Sequence, residues 1–178
     1  MCPVHRVTEG EAAVIVSNEE LREISIKIER DGRAFYQRLS EHISDPVEKE
    51  FLEVMAKEEI QHEIQFKKML DDKGERAYGW EGSDALGDMI QNRFQTDIFP
   101  PLDEILDQAE ELQGIEKALD FAMEAEKIAA EFYGLLLEAC NNIEVKTLLV
   151  LLEKAEHEHL ERVQQLREKY LKQASGSS

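Results

Sequence analysis

Six side chains combine metal-ligating chemistry with a repeated spacing. Glu59-x-x-His62 and Glu156-x-x-His159 each set a carboxylate and an imidazole three residues apart, which on a helix places both on one face. Thirty residues before each motif stands a further glutamate, Glu29 in the first half and Glu126 in the second. Every matched pair is separated by the same 97 residues, including Phe35-Tyr36 with Phe132-Tyr133 and Leu39 with Leu136, so the halves align without a gap.

The spacing implies a geometry. The midpoint of Glu29 and Glu59 falls at residue 44, in Ser44-Asp45-Pro46, and that of Glu126 and Glu156 at residue 141, in Asn141-Asn142. Both stretches are turn signals. Residues equidistant from the turn of an antiparallel hairpin sit at equal height, so all four glutamates lie about 22 Å from their hairpin tips at a rise of about 1.5 Å per residue. Two such hairpins packed face to face bring four carboxylates and two imidazoles to one level of a core. Without cations the carboxylates would repel one another and resist desolvation, which raises their pKa values. Two divalent ions cancel four carboxylate charges, so the constellation makes electrostatic sense as a dinuclear metal site. Mixed carboxylate and imidazole ligation suits iron or manganese. Six ligands around two ions leave no separate general base, which argues against zinc hydrolase chemistry.

The elements that must position these residues are helical. Ser17 and Glu20 have capping-box spacing, and the periodicity predicts a first helix over 18–43 with Leu21, Ile24, Ile28, Phe35 and Leu39 pointing roughly inward. Ser44-Asp45-Pro46 stops that helix, caps the next and supplies a first-turn proline. The second helix continues through Phe51, Val54, Met55 and Phe66 and ends near Asp71 to Gly74. Residues 75–114, punctuated by Gly79, Gly82, Gly87, Pro100, Pro101 and Gly114, read as a crossover with short helices over 83–94 and 101–112. A third long helix is expected over 115–140 and a fourth to about Leu171. The expected fold is all-α: two antiparallel helical hairpins joined by a long crossover, a ferritin-like four-helix bundle with its second and third long helices parallel. The domain reading is an N-terminal extension over 1–17, the bundle over 18–172 and a flexible tail over 173–178.

Composition narrows the partners. A chain of 178 residues can bury a core without disulfide or metal staples. A formal net charge of −18 repels phosphate backbones and anionic lipids, which argues against nucleic acid and membrane surfaces as partners, while the same field attracts cations such as ferrous ion. The longest apolar runs, such as Leu148 to Leu152, are far too short to span a bilayer, and no basic segment followed by an apolar run marks a secretory signal. Cys2 and Cys140 form no CxxC pair, so a rubredoxin-type or zinc-ribbon module is not encoded here. Cys2-x-x-His5 reads as a chance spacing, Cys140 as a small core residue, and cysteine usage of this kind fits a reducing cytoplasm. His42 falls near a hairpin tip and His157 points off the inward face, so neither is placed among the ligands.

Glu29, Glu59-x-x-His62, Glu126 and Glu156-x-x-His159 together resemble the diiron domain of rubrerythrin-like and erythrin-like proteins of the ferritin-like superfamily, over about residues 18–172. The resemblance implies two iron ions, with manganese an option at one or both positions. It implies no haem, because the haem methionine of bacterioferritin has no match where Ile60 follows Glu59. Glu59 and Glu156 would bridge both ions, Glu29 with His62 would complete one shell, and Glu126 with His159 the other. Tyr36 and Tyr133 match aromatic positions that line such sites, implying hydrogen bonds to ligands or an electron relay; the plain alternative is a core residue with a satisfied hydroxyl. Rubrerythrins proper carry an additional glutamate three residues after the third-helix ligand, where this chain has Ala129, with Gly32 as the first-helix counterpart. The set is therefore closer to the symmetric four-Glu, two-His centres of bacterioferritin-like proteins. The implied activity is that of a non-haem diiron oxidoreductase of ferroxidase or peroxidase type, with O2 or H2O2 as oxidant, ferrous ion or an external donor as electron source, and a homodimeric assembly. Iron handling without turnover and a metal-free scaffold stay open as alternatives, and the sequence identifies no acceptor for the outer nitrogens of the ligand histidines.

Overall fold

Capping chemistry sets the helix starts in this computed structural model, which describes residues 16–70, 76–94, 97–100, 102–107 and 111–176. Helix α1 (Asn18–Glu41) begins at Ser17, whose hydroxyl accepts the Glu20 N–H at 3.1 Å. Helix α2 (Pro46–Met69) begins at Asp45, whose carboxylate accepts the N–H groups of Val47 at 2.9 Å and Glu48 at 3.1 Å, with Pro46 in the first turn where a missing N–H costs nothing. Helix α3 (Asp84–Arg93) is capped by Ser83, and the short α4 (Leu102–Asp107) follows. Helix α5 (Glu111–Ala139) leads through Cys140-Asn141-Asn142 into α6 (Ile143–Gly176), where the Asn142 side chain accepts the N–H groups of Glu144 and Val145.

The long helices form two antiparallel hairpins, α1 with α2 and α5 with α6, which pack on each other chiefly through α2 and α6. Two apolar clusters fill the bundle. One gathers Leu21, Phe66, Phe132, Leu136, Val145 and Leu149; the other gathers Leu39, Leu52, Met55, Leu119, Val163 and Leu166. The start of α1 and the start of α6 therefore share one end, and the end of α2 shares it with the end of α5. Helices α2 and α5 run parallel, and the hairpin tips lie at opposite ends. Lys169 near the end of α6 accordingly pairs with Glu48 beside the α1–α2 tip.

The crossover is anchored by packing. Tyr78 and Trp80 stack with ring centroids 4.8 Å apart, and Trp80 Nε1 donates to Asn18 Oδ1 at 2.7 Å. Between them Gly79 takes φ +104°, and a Cβ there would come within 2.6 Å of the Ala139 carbonyl. Both facts require glycine.

Helix boundaries differ from expectation at three places. Helix α5 starts at Glu111, not Ile115, because the buried Gly114 is carried inside the helix instead of breaking it; a glycine there costs only about 1 kcal/mol. The expected single helix over 101–112 is replaced by α4 and the first residues of α5. Helix α6 runs to Gly176, past the expected end at Leu171, because Lys172, Gln173 and Ala174 are good helix formers. Cys2, His5 and most of the N-terminal extension, together with the Asp71 to Gly74 cluster, lie outside the described residues. Among the described residues no helix is long and apolar enough to cross a membrane.

Candidate metal centre

The two apolar clusters are separated by a layer of charge. In α1 the layer falls between Ile28 and Phe35, in α2 between Ala56 and Phe66, in α5 between Ala125 and Ile128, and in α6 between Leu152 and Val163. It consists of Glu29, Glu59, His62, Glu126, Glu156 and His159, every one buried. All six side chains expected from the sequence thus meet at one level, each delivered by the helix predicted for it. Ligand atoms of Glu59, His62, Glu156 and His159 lie within 4.8 Å of one another.

The contacts within the layer follow the internal repeat. His62 Nδ1 is 3.0 Å from Glu59 Oε2, 3.3 Å from Glu29 Oε2 and 3.3 Å from Glu156 Oε1. His159 Nδ1 is 3.3 Å from Glu59 Oε1, 3.7 Å from Glu126 Oε2 and 3.7 Å from Glu156 Oε2. Glu59 and Glu156 therefore each direct one oxygen toward each imidazole, while Glu29 and Glu126 each serve one. The two rings stack with centroids 5.4 Å apart.

The tyrosines connect the hairpins. Tyr36 on α1 donates its hydroxyl hydrogen bond to Glu126 Oε1 on α5, and Tyr133 on α5 donates to Glu29 Oε1 on α1. Each terminal glutamate has one oxygen tied by a tyrosine of the other hairpin and its second oxygen turned toward a histidine. Position in sequence suggested that each tyrosine lines the site; it did not reveal that the partners are exchanged.

The electrostatics are those of a site made for added positive charge. Burial, with repulsion from neighbouring carboxylates, raises Glu29 and Glu126 well above the usual carboxylate range. Burial also acts on Glu156, but the close approach of the His159 and His62 imidazoles holds it below that range. Burial disfavours the charged imidazoles, yet the surrounding glutamates push His62 up to about 12 and raise His159 as well. In the protein alone, protons compensate charge that a cation could compensate instead. Glu29 Oε2, Glu156 Oε1 and His159 Nδ1 are buried without a hydrogen-bond partner, and all three belong to this layer. Buried groups of this kind are ordinarily satisfied. A pair of metal ions fits these donors in number, type and direction.

Three further residues shape the site, and sequence reasoning did not identify their roles. Glu58, one residue before Glu59, accepts from His159 Nε2 at 3.1 Å and from Arg162 Nη1 at 2.8 Å. The His159 hydrogen bond, opposed by partial burial and aided by Arg162, keeps Glu58 below the ordinary carboxylate range. Gly32 leaves room for Glu59: a Cβ there would stand 3.2 Å from Glu59 Oε1 and 3.3 Å from the Phe99 ring. Phe99, from the crossover, also packs on Tyr36 and Phe35 and lines a surface cavity of about 320 Å³. Ala129, where the additional rubrerythrin glutamate would stand, is buried. His157 is exposed and His42 caps α1, so neither joins the cluster.

Comparison with known proteins follows the same lines. The rubrerythrin family model matches residues 20–167. A candidate ferritin-like diiron-carboxylate protein from Thermotoga maritima superposes with a TM-score of 0.64 at 23% identity, covering 86% of this chain and 96% of its own. A hypothetical protein from Pyrococcus furiosus superposes with a TM-score of 0.65 at 29% identity, covering 88% and 91% respectively. No curated protein gives a significant match.

Proposed function

The chain belongs to the rubrerythrin family, and on that footing we propose that it is a diiron oxidoreductase that passes electrons from ferrous ions to dioxygen or hydrogen peroxide. The observation that carries the proposal is the arrangement of Glu59 and Glu156, each with one oxygen toward His62 and the other toward His159. In this reading Glu59 and Glu156 would serve both metal ions, Glu29 with His62 would help hold one, and Glu126 with His159 would help hold the other. Iron held there would supply one electron per ion to an oxidant, and carboxylate-imidazole ligation equally admits manganese.

The chain's own residues divide the remaining work. Tyr133 and Tyr36 fix the terminal glutamates by one oxygen, so their second oxygens keep their aim. The apolar clusters above and below the layer exclude water and strengthen every charge interaction within it. With Ala129 contributing no donor, the ligand set is symmetric, which favours oxidation of incoming ferrous ion over a peroxidase that depends on an added glutamate. The reading that competes is iron handling without turnover, consistent with the cation-attracting charge of −18.

Ferrous ion is added anaerobically to the metal-free protein, which is then exposed to O2 or H2O2 while ferrous ion and oxidant are followed. Oxidation of many ferrous equivalents per chain, abolished in Glu59→Ala/Glu156→Ala, is the expected outcome. A single round of oxidation that stops at the bound metal would leave the carrier reading in its place.

A further inference from the structure

The internal repeat breaks at one residue that touches the ligand layer. Under the 97-residue offset that relates the six ligands, Glu58 corresponds to Ala155, and its partner Arg162 corresponds to Gln65. Glu58 reaches from α2 to α6, where it accepts from the outer nitrogen of His159 at 3.1 Å while Arg162 holds the same oxygen at 2.8 Å. The equivalent position on α6 under the repeat carries only the methyl group of Ala155. Among the described residues, the contacts of His62 with carboxylates are all made by Nδ1, on the side of the ligand layer.

This difference matters because of what an outer carboxylate does to a ligand imidazole. Accepting the Nε2–H fixes the tautomer, locks the ring plane and makes Nδ1 a stronger donor toward a cation. His159 has all three advantages; His62 is positioned by packing and by the ligands themselves. The arm that supplies them spans the two hairpins, so it also ties α2 to α6 at the height of the site.

Building on the dinuclear reading above, we propose that Glu58 is a positioning residue that makes the two metal positions unequal, so that the Glu126/His159 position takes a divalent cation more tightly than the Glu29/His62 position and fills first. Loss of such an outer partner ordinarily weakens metal binding about 10- to 100-fold, and a difference of that order between the two positions is expected here.

The test is anaerobic titration of the metal-free full chain with cobalt(II), a redox-stable probe, by calorimetry and visible absorption. The wild type should show two steps differing at least about tenfold. In a His62→Ala background, which keeps the Glu126/His159 position, Glu58→Ala should weaken cobalt binding by about tenfold or more, and Glu58→Gln, which keeps an acceptor oxygen, should restore part of it. In a His159→Ala background the effect of Glu58→Ala should vanish, which a general structural or charge role would not produce. Ala155→Glu in that same background, placing a carboxylate where His62 lacks one, should tighten binding. Two equal steps in the wild type, or an equal loss from Glu58→Ala in both backgrounds, would overturn the inference while leaving the dinuclear site intact. Absence of any cobalt binding by the wild type would instead overturn the dinuclear reading, and this inference with it.

Discussion

Each terminal glutamate of the charged layer is shared between two masters: a tyrosine of the opposite hairpin holds one oxygen, and a histidine faces the other. The arrangement has a consequence for pH. Ligation requires neutral imidazoles and ionised carboxylates. In the metal-free protein His62 is pushed up to about 12, His159 is raised as well, and burial holds Glu29 and Glu126 above their ordinary range. The free protein therefore carries more protons than the loaded protein. By linkage, metal binding must release protons, tighten as pH rises and weaken in acid. Calorimetry near pH 7 in two buffers of different ionisation enthalpy should report net proton release on cobalt or ferrous binding; zero release, or uptake, would contradict the charge assignment. The six residues of the charged layer were legible in the sequence because they repeat, and the charge argument pointed to a metal. The exchange of tyrosine partners was not legible, since it depends on how α1 packs against α5. Glu58 was hidden for a related reason: only the packing of α2 on α6 brings it to His159, although the unmatched pair Glu58 and Ala155 was visible as a break in the repeat.

At the scale of elements, the hairpin is the unit that repeats and the crossover is the part that does not. Gly32 lies where the two meet, between Glu59 of the repeat and Phe99 of the crossover. An alanine is the better helix former by about 1 kcal/mol, yet its Cβ would crowd a ligand oxygen and an aromatic ring at 3.2 and 3.3 Å. Gly32→Ala is therefore expected to keep the helical circular dichroism of the wild type while lowering metal affinity severalfold. Unchanged affinity would show that Glu59 has slack that the packing does not suggest. The hairpins were readable because Ser17, Asp45 and Asn142 are strong caps with mechanisms. Their joining segment was readable only in outline. Glycine is a weaker stop than a sequence pattern implies once tertiary packing covers it, as Gly114 inside α5 illustrates. At Gly79 the same residue type does mark a turn, because the Ala139 carbonyl leaves no room for a side chain.

Over the whole molecule, two apolar clusters sandwich one layer of buried charge, and the surface outside carries a strong negative excess. The clusters alone would make a bundle; the layer interrupts them at a height fixed by the thirty-residue spacing in both halves. Burying four carboxylates at that height is costly unless something offsets their charge; in the protein alone protons on His62, His159, Glu29 and Glu126 do so, and two divalent ions could take their place. The layer is thus compatible with the pair of ions proposed for it. The most direct test is elemental analysis of protein reconstituted anaerobically with excess ferrous ion and freed of unbound metal, beside the Glu59→Ala/Glu156→Ala variant treated identically. About two ions per chain are expected in the wild type, one for each imidazole, with a near-complete loss in the variant. Metal bound equally by both proteins, or by neither, would contradict the dinuclear reading.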